Sequence, residues 1–182
     1  MLANFYLSTF DKIITEKGLH LVRFADDFII MCKTKEEAIV ALDFAKKFLD
    51  KKLGLVLKEE KTRIIDYRGG FDFLGFRVEA GQHSPSQKKI VGLKNKITAL
   101  SNPRSGQTLF PILVHLNNLL KGWHEAYRRS NLGTLPQEIN GHVIAAIASY
   151  LTYNQLIPEG KKLKSKQIRM LGIPRMPITP KS

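Results

Sequence analysis

The chain has 182 residues, 43% of them hydrophobic, with 29 Lys+Arg against 16 Asp+Glu and a formal net charge of +13. That apolar fraction excludes a disordered chain, and the length allows one or two small domains with a real core. No apolar run approaches the ~18 residues of a membrane span, the N-terminus lacks the features of a secretory signal, and the single cysteine, Cys32, excludes an intramolecular disulfide framework or a zinc site built from several cysteines. The expected compartment is the cytoplasm.

In chain order, apolar residues three and four apart from Leu2 to Ile14 predict an amphipathic helix over about 1–17, with Gly18 placed to end it. Two short apolar, β-branched runs follow, Leu19–Phe24 and Phe28–Cys32, flanking Ala25-Asp26-Asp27. They predict strand, tight turn, strand, with two adjacent carboxylates at the tip. Such a pair repels itself unless a cation is shared, and Mg²⁺ takes one or two protein carboxylates together with substrate phosphates; an ordinary acidic turn is the plainer alternative. Ala25 keeps the turn slim enough for another chain to approach.

Thr34 and Glu37 form a capping-box pattern for a helix carrying Ala38, Leu42, Ala45 and Leu49 and ending near Gly54. Leu55–Leu57 and Thr62–Asp66 read as short strands joined by a charged turn, and Phe71–Phe76 as an aromatic hairpin around Gly75, where glycine permits close backbone approach. Glu79–Pro85 reads as a turn-rich linker. Three amphipathic helices follow, over about 86–100, 108–127 and 136–154, with Ile90, Leu93, Ile97, Leu100; Ile112 or Leu113, Leu116, Leu119, Leu120, Trp123; and Ile139, Val143, Ile147, Tyr150 as their apolar faces. Trp123 and Tyr127, one turn apart, read as core anchors. His115, His124 and His142 lack the spacing of a shared metal site. From Pro158 the chain is basic and proline-containing and reads as an extended or partly ordered tail.

The charge is unevenly placed. Residues 1–80 hold 14 Lys+Arg against 13 Asp+Glu, whereas 81–182 hold 15 against 3. An excess confined to one half is the footprint of a phosphate-backbone partner, and the residues that would meet it are Lys88, Lys89, Lys94, Lys96, Lys121, Arg128, Arg129, Lys161, Lys162 and Lys164.

Phe24-Ala25-Asp26-Asp27 resembles the Tyr-Ala-Asp-Asp box of group II intron reverse transcriptases, with Phe for Tyr. Leu2–Leu7 with Asp11 is similar to the helix before that box. Gly54-Leu55, Glu60-Lys61-Thr62-Arg63 and Phe73-Leu74-Gly75-Phe76 are similar to the next blocks in the right order, and Leu120-Lys121-Gly122-Trp123 with Tyr127 to the maturase or thumb signature. The resemblance implies an α+β fold: part of a polymerase palm over 1–80 (helix, catalytic hairpin, helix, short strands), an α-helical thumb over 81–157, and a basic tail over 158–182. It implies Asp26 and Asp27 as catalytic residues holding two Mg²⁺ in a complete enzyme and at most weakly here, with Phe24 packed beneath them and Ala25 in support. Lys61 lies either near the active site or on the surface as an ordinary lysine. Phe73, Leu74, Gly75 and Phe76 would be the primer grip. The implied partners are intron RNA, primer DNA and dNTP, and no membrane. The family's third carboxylate and its fingers have no counterpart in this sequence. The expectation is therefore the carboxyl-terminal part of an RNA-directed DNA polymerase, inactive alone and completed by an amino-terminal fragment. The alternative is an RNA-binding maturase fragment that assists intron folding without polymerising.

Overall fold

The computed structural model describes residues 2–177. The chain divides into two compact units between Asp66 and Tyr67, earlier than the boundary expected at 80/81. The division differs because Glu79–Pro85 is not a linker. Ala80 (φ +47) and Gly81 (φ +78) make a two-residue turn that pairs Glu79 with Gln82 and builds a third strand, as a primed hairpin turn does.

In the first unit, α1 (Leu2–Glu16) is followed by β1 (His20–Phe24), β2 (Asp27–Met31) and α2 (Lys35–Leu53). Gly18, at φ +74, stops α1. The Thr34 hydroxyl accepts the Glu37 N–H at 3.1 Å, while the Glu37 carboxylate accepts from Lys33 N–H rather than from the cap residue's own amide. Gly54 closes α2 in the left-handed conformation. Leu7, Phe10 and Ile14 of α1 bury against Ala45 and Leu49 of α2, and Phe28 of β2 meets Phe10 edge-on at 5.2 Å.

The stretches 55–57 and 62–66 are not strands. Residues 59–61 form one 3-10 turn, the flanking residues have no ladder, and Val56 is 83% exposed. β-branched composition favours extended backbone, but a strand needs a partner for its N–H and C=O groups. Among the described residues the sheet of this unit contains only β1 and β2.

In the second unit, β3 (Phe71–Phe73), β4 (Phe76–Glu79) and β5 (Gln82–Pro85) form an antiparallel meander. α3 (Gln87–Leu100), α4 (Leu109–Tyr127) and α5 (Leu135–Tyr153) follow. Leu93 and Ile97, then Ile112, Leu116 and Leu120, then Ile139, Val143 and Ile147 fill one core. Ile112, not Leu113, takes the buried place, and Trp123 is only partly buried. Among the described residues no helix is long and apolar enough to cross a membrane.

The expected extended tail instead packs back. A short helix, α6 (Ser165–Met170), buries Ile168, and the chain continues with Ile173 and Met176 buried in the same core. Asn140 of α5 donates to the Met176 carbonyl at 3.1 Å and accepts the Met176 N–H at 2.7 Å. Its amide thus does for that segment what a neighbouring strand would do. The apolar residues interleaved with the basic ones overrule the tail's composition. Pro180 and Lys181 lie outside the described residues.

Asn140→Ala strands two buried main-chain groups of Met176, each left without its partner. The variant is expected to lose about 1–3 kcal/mol of stability, an estimate from the penalty of unsatisfied buried groups, read in urea unfolding followed by the fluorescence of Trp123, the single tryptophan. An unchanged midpoint would show that this pair holds nothing.

Candidate functional site

The hairpin register pairs Phe24 with Asp27 and leaves Ala25 and Asp26 as the loop. Ala25 sits at φ +55, a left-handed conformation that disfavours a side chain. It is held by Arg23, whose Nη1 donates to the Ala25 carbonyl at 2.7 Å and to Asn4 Oδ1 at 3.0 Å. The other edge of the same guanidinium grips Asp11, with Nε to Oδ1 at 2.7 Å and Nη2 to Oδ2 at 2.5 Å. One side chain thereby joins α1 to the turn that carries the acids. The hydrogen bonds that Arg23 donates to the Asp11 carboxylate raise its pKa above the ordinary value against the opposing effect of burial. A raised basic group is fully charged below its unfolded pKa and loses its contribution only as pH climbs past the folded one. On the arginine side, then, the clamp holds through the whole neutral range.

Alternation along β1 points Leu21 and Arg23 inward and His20, Val22 and Phe24 outward. Phe24 is 65% exposed. The expectation that it packs beneath the acid pair is therefore corrected, because the inward position next to the turn belongs to Arg23. Asp27, cross-strand from Phe24, shares the open face with it. Asp26 and Asp27 are both exposed and neither carboxylate has a hydrogen bond or ion pair among the described residues. Several other acids of this unit are ion-paired: Asp11 with Arg23, Glu16 with Lys12, Asp43 with Lys47 and Glu59 with Lys46.

Among the described residues no group of three or more His, Cys, Asp or Glu side chains is arranged to hold a metal ion. Two free carboxylates match the protein share of a Mg²⁺ site whose remaining ligands are phosphates and water, and fall short of a protein-only cage. Lys61 stands exposed at the end of the 3-10 turn, and the Thr62 hydroxyl donates to Lys58 O at 2.8 Å. The Lys-Thr pair closes a turn, not a strand.

The Phe73–Phe76 hairpin belongs to the second unit. Leu74 (φ +51) and Gly75 (φ +87) form its two-residue turn. The Gly75 carbonyl accepts from Ser86 N–H at 2.9 Å and from the Tyr127 hydroxyl at 3.3 Å. A Cβ on Gly75 would come within 2.6 Å of the Lys89 side chain, so the close approach glycine permits here is by the chain's own lysine and tyrosine. Tyr127 is buried, and burial pushes its phenol pKa up. It packs 4.4 Å from Trp123 and 5.0 Å from Phe76, ring centre to ring centre.

The charge division follows the two compact units: residues 1–66 hold 12 Lys+Arg against 11 Asp+Glu, and 67–182 hold 17 against 5. The basic residues are not equivalent. Lys94 pairs with Glu138, and Arg128 Nε lies 2.8 Å from Glu125. Lys88, Lys96, Lys121, Arg129, Lys161 and Lys162 are exposed and have no ion pair among the described residues, and Lys164 caps α6 through its backbone with its side chain exposed.

Sequence reasoning named Asp11 but overlooked Arg23 and Asn140. A lone arginine at an inward strand position beside two acids was a usable signal. Asn140, inside an apolar helix face, gave only a weak one.

Arg23→Gln removes the fork and leaves the Ala25 conformation unsupported. Losing hydrogen bonds to a charged partner is worth about 1.5–3 kcal/mol. Amides of β1 and β2 should exchange with solvent roughly 10- to 150-fold faster on that basis, with a smaller change in the middle of α2. Uniform acceleration across the unit, or none, would mean that Arg23 is not a local clamp.

A family model described as reverse transcriptase (RNA-dependent DNA polymerase) matches residues 1–78, a span that covers the whole first unit and runs through β3 into β4. A comparison with curated proteins finds no match.

Proposed function

We propose that this chain contributes the acid-bearing hairpin of a group II intron-type RNA-directed DNA polymerase and maturase, and that its second unit binds the intron RNA. The observation that carries the reading is an unpaired Asp26-Asp27 tip inside a segment that matches the reverse transcriptase family. In this reading Asp26 and Asp27 supply the protein carboxylates for Mg²⁺. When bound, the metal supplies Lewis acidity to the primer hydroxyl and to the leaving pyrophosphate. Ala25 leaves room for the primer end, Arg23 holds the turn in place, and the open face bearing Phe24 and Asp27 stays free for other parts of the polymerase. The basic second unit carries the maturase part of the reading, with phosphate contacts as its source of affinity.

Mn²⁺ in place of Mg²⁺ tests the metal assignment on this chain directly. Its unpaired electrons should broaden the amide signals of Ala25, Asp26, Asp27 and Phe28 selectively. The Asp26→Asn/Asp27→Asn variant should abolish that selectivity. If broadening persisted in the variant, the two carboxylates would not be the ligands.

RNA binding should weaken steeply with salt, each phosphate contact contributing roughly 0.7–0.9 to the log–log slope. Replacing Lys88, Lys96, Lys121 and Lys161 together by Gln should flatten the slope by a few units by the same rule. Replacing Lys46, Lys47, Lys51 and Lys52 of α2 should change it little, since Lys46 and Lys47 already face Glu59 and Asp43. Filter binding across a salt series decides it, and equal losses from the two quadruple variants would refute the assignment of RNA to the second unit.

A further inference from the structure

The second unit contains a cleft of about 380 Å³ where the β3–β4 turn and β5 meet the C-terminal end of α4. Phe73, Leu74, Phe76 and His83 line it on the sheet side, and Arg129 and Ser130 at the helix end. Its size is at the small end of ligand sites, enough for one ring system. Phe76 is fixed from behind by Tyr127 and edge-on by His83 at 5.9 Å. Leu74, also lining the cleft, is 42% exposed on a turn where it takes a left-handed backbone conformation.

The cleft is therefore apolar and aromatic inside, with cationic and hydroxyl groups at one rim. The two neighbouring arginines differ: Arg128 is engaged by Glu125, whereas Arg129, which lines the cleft, has no partner among the described residues. An aromatic slot with one free guanidinium at its edge is complementary to a flat ring carrying an anion. In a unit with 17 Lys+Arg against 5 Asp+Glu, the ring with an attached phosphate that such a surface would meet is a nucleotide of an RNA strand. A base inside a duplex is stacked and out of reach, so the occupant must be unpaired.

We infer that this cleft takes a single unstacked nucleobase of RNA, stacked on Phe73, with Arg129 on its phosphate. The inference rests on the reading that the second unit binds RNA and adds to it a base-accepting pocket distinct from the general phosphate contacts.

The test uses the full chain and three versions of one RNA hairpin: fully paired, with a single bulged adenine, and with an abasic residue at the bulge. Wild-type chain should bind the bulged adenine about 5- to 150-fold more tightly than the abasic bulge, the range that base–aromatic stacking supplies. With 2-aminopurine at the bulge, its fluorescence should be quenched on binding. Phe73→Leu should bring the ratio close to one, while Phe73→Tyr, which keeps the ring, should retain it. Arg129→Gln should weaken binding of the bulged RNA, and Arg128→Gln should not. The comparison of adenine with abasic bulges is made on wild-type chain, so it decides the matter even if Phe73→Leu folds poorly. Equal affinity for the two bulges, together with salt-dependent binding of the paired hairpin, would overturn the pocket and leave the RNA-binding reading standing. Binding of none of the three RNAs would overturn both.

Discussion

The hairpin that presents Asp26 and Asp27 depends on one guanidinium. Arg23 reaches Asp11 with one edge and Asn4 and the Ala25 carbonyl with the other. A two-stranded ribbon is marginal by itself in water, and this one also carries an alanine in a left-handed conformation, which such surroundings must enforce. The fork answers both needs, because it ties the ribbon to α1 and holds the peptide that follows Ala25. It also accounts for the exposure of Phe24. With the inward position next to the turn taken by arginine, the neighbouring ring faces outward, and Asp27 faces outward beside it.

A comparable economy governs the second unit, where the constraint is a turn carbonyl. Gly75 C=O receives Ser86 and Tyr127 while its Cα lies against Lys89. That arrangement fastens the β3–β4 hairpin to the start of α3 and the end of α4. It sets Phe76 against Tyr127 and so forms one wall of the cleft at the helix end. The same residues that read in sequence as a grip for a primer are in the structure first a grip of the chain on itself. Any nucleic-acid role they have is exercised from a surface already braced from behind.

The division of charge carries the same lesson at larger scale. In the first unit, cations and anions nearly balance and some pair across a helix turn, as Glu16 does with Lys12 and Asp43 with Lys47; exposed pairs of this kind contribute little to stability and leave no net field. In the second unit the acids are too few to engage the bases, and the local pairs select which bases remain free. Lys94 and Arg128 are taken, while their neighbours Lys96 and Arg129 are not.

Helix ends and faces were legible from local chemistry. Thr34, Gly54 and Gly18 mark their boundaries, and the apolar spacing in α3, α4 and α5 identifies the centre of each buried face, while it misses Leu135, Pro136 and Leu151 at the ends of α5. The acid pair at a hairpin tip was legible too, since two β-branched runs around Ala-Asp-Asp admit few other local solutions. Three things were decided by which backbone meets which. Residues 55–57 and 62–66 have strand composition but no ladder partner, and a strand exists only where another backbone meets it. The Glu79–Pro85 stretch has linker composition but finds register with β4. The basic stretch after Pro158 has tail composition, yet Ile168, Ile173 and Met176 find a core, and Asn140 supplies the backbone partner they needed. Local propensity and periodicity reside in neighbouring residues and can be read from them. Strand pairing, the Arg23 fork and the docking of the C-terminal segment each join groups tens of residues apart or select one partner among several, and only the folded chain makes that selection.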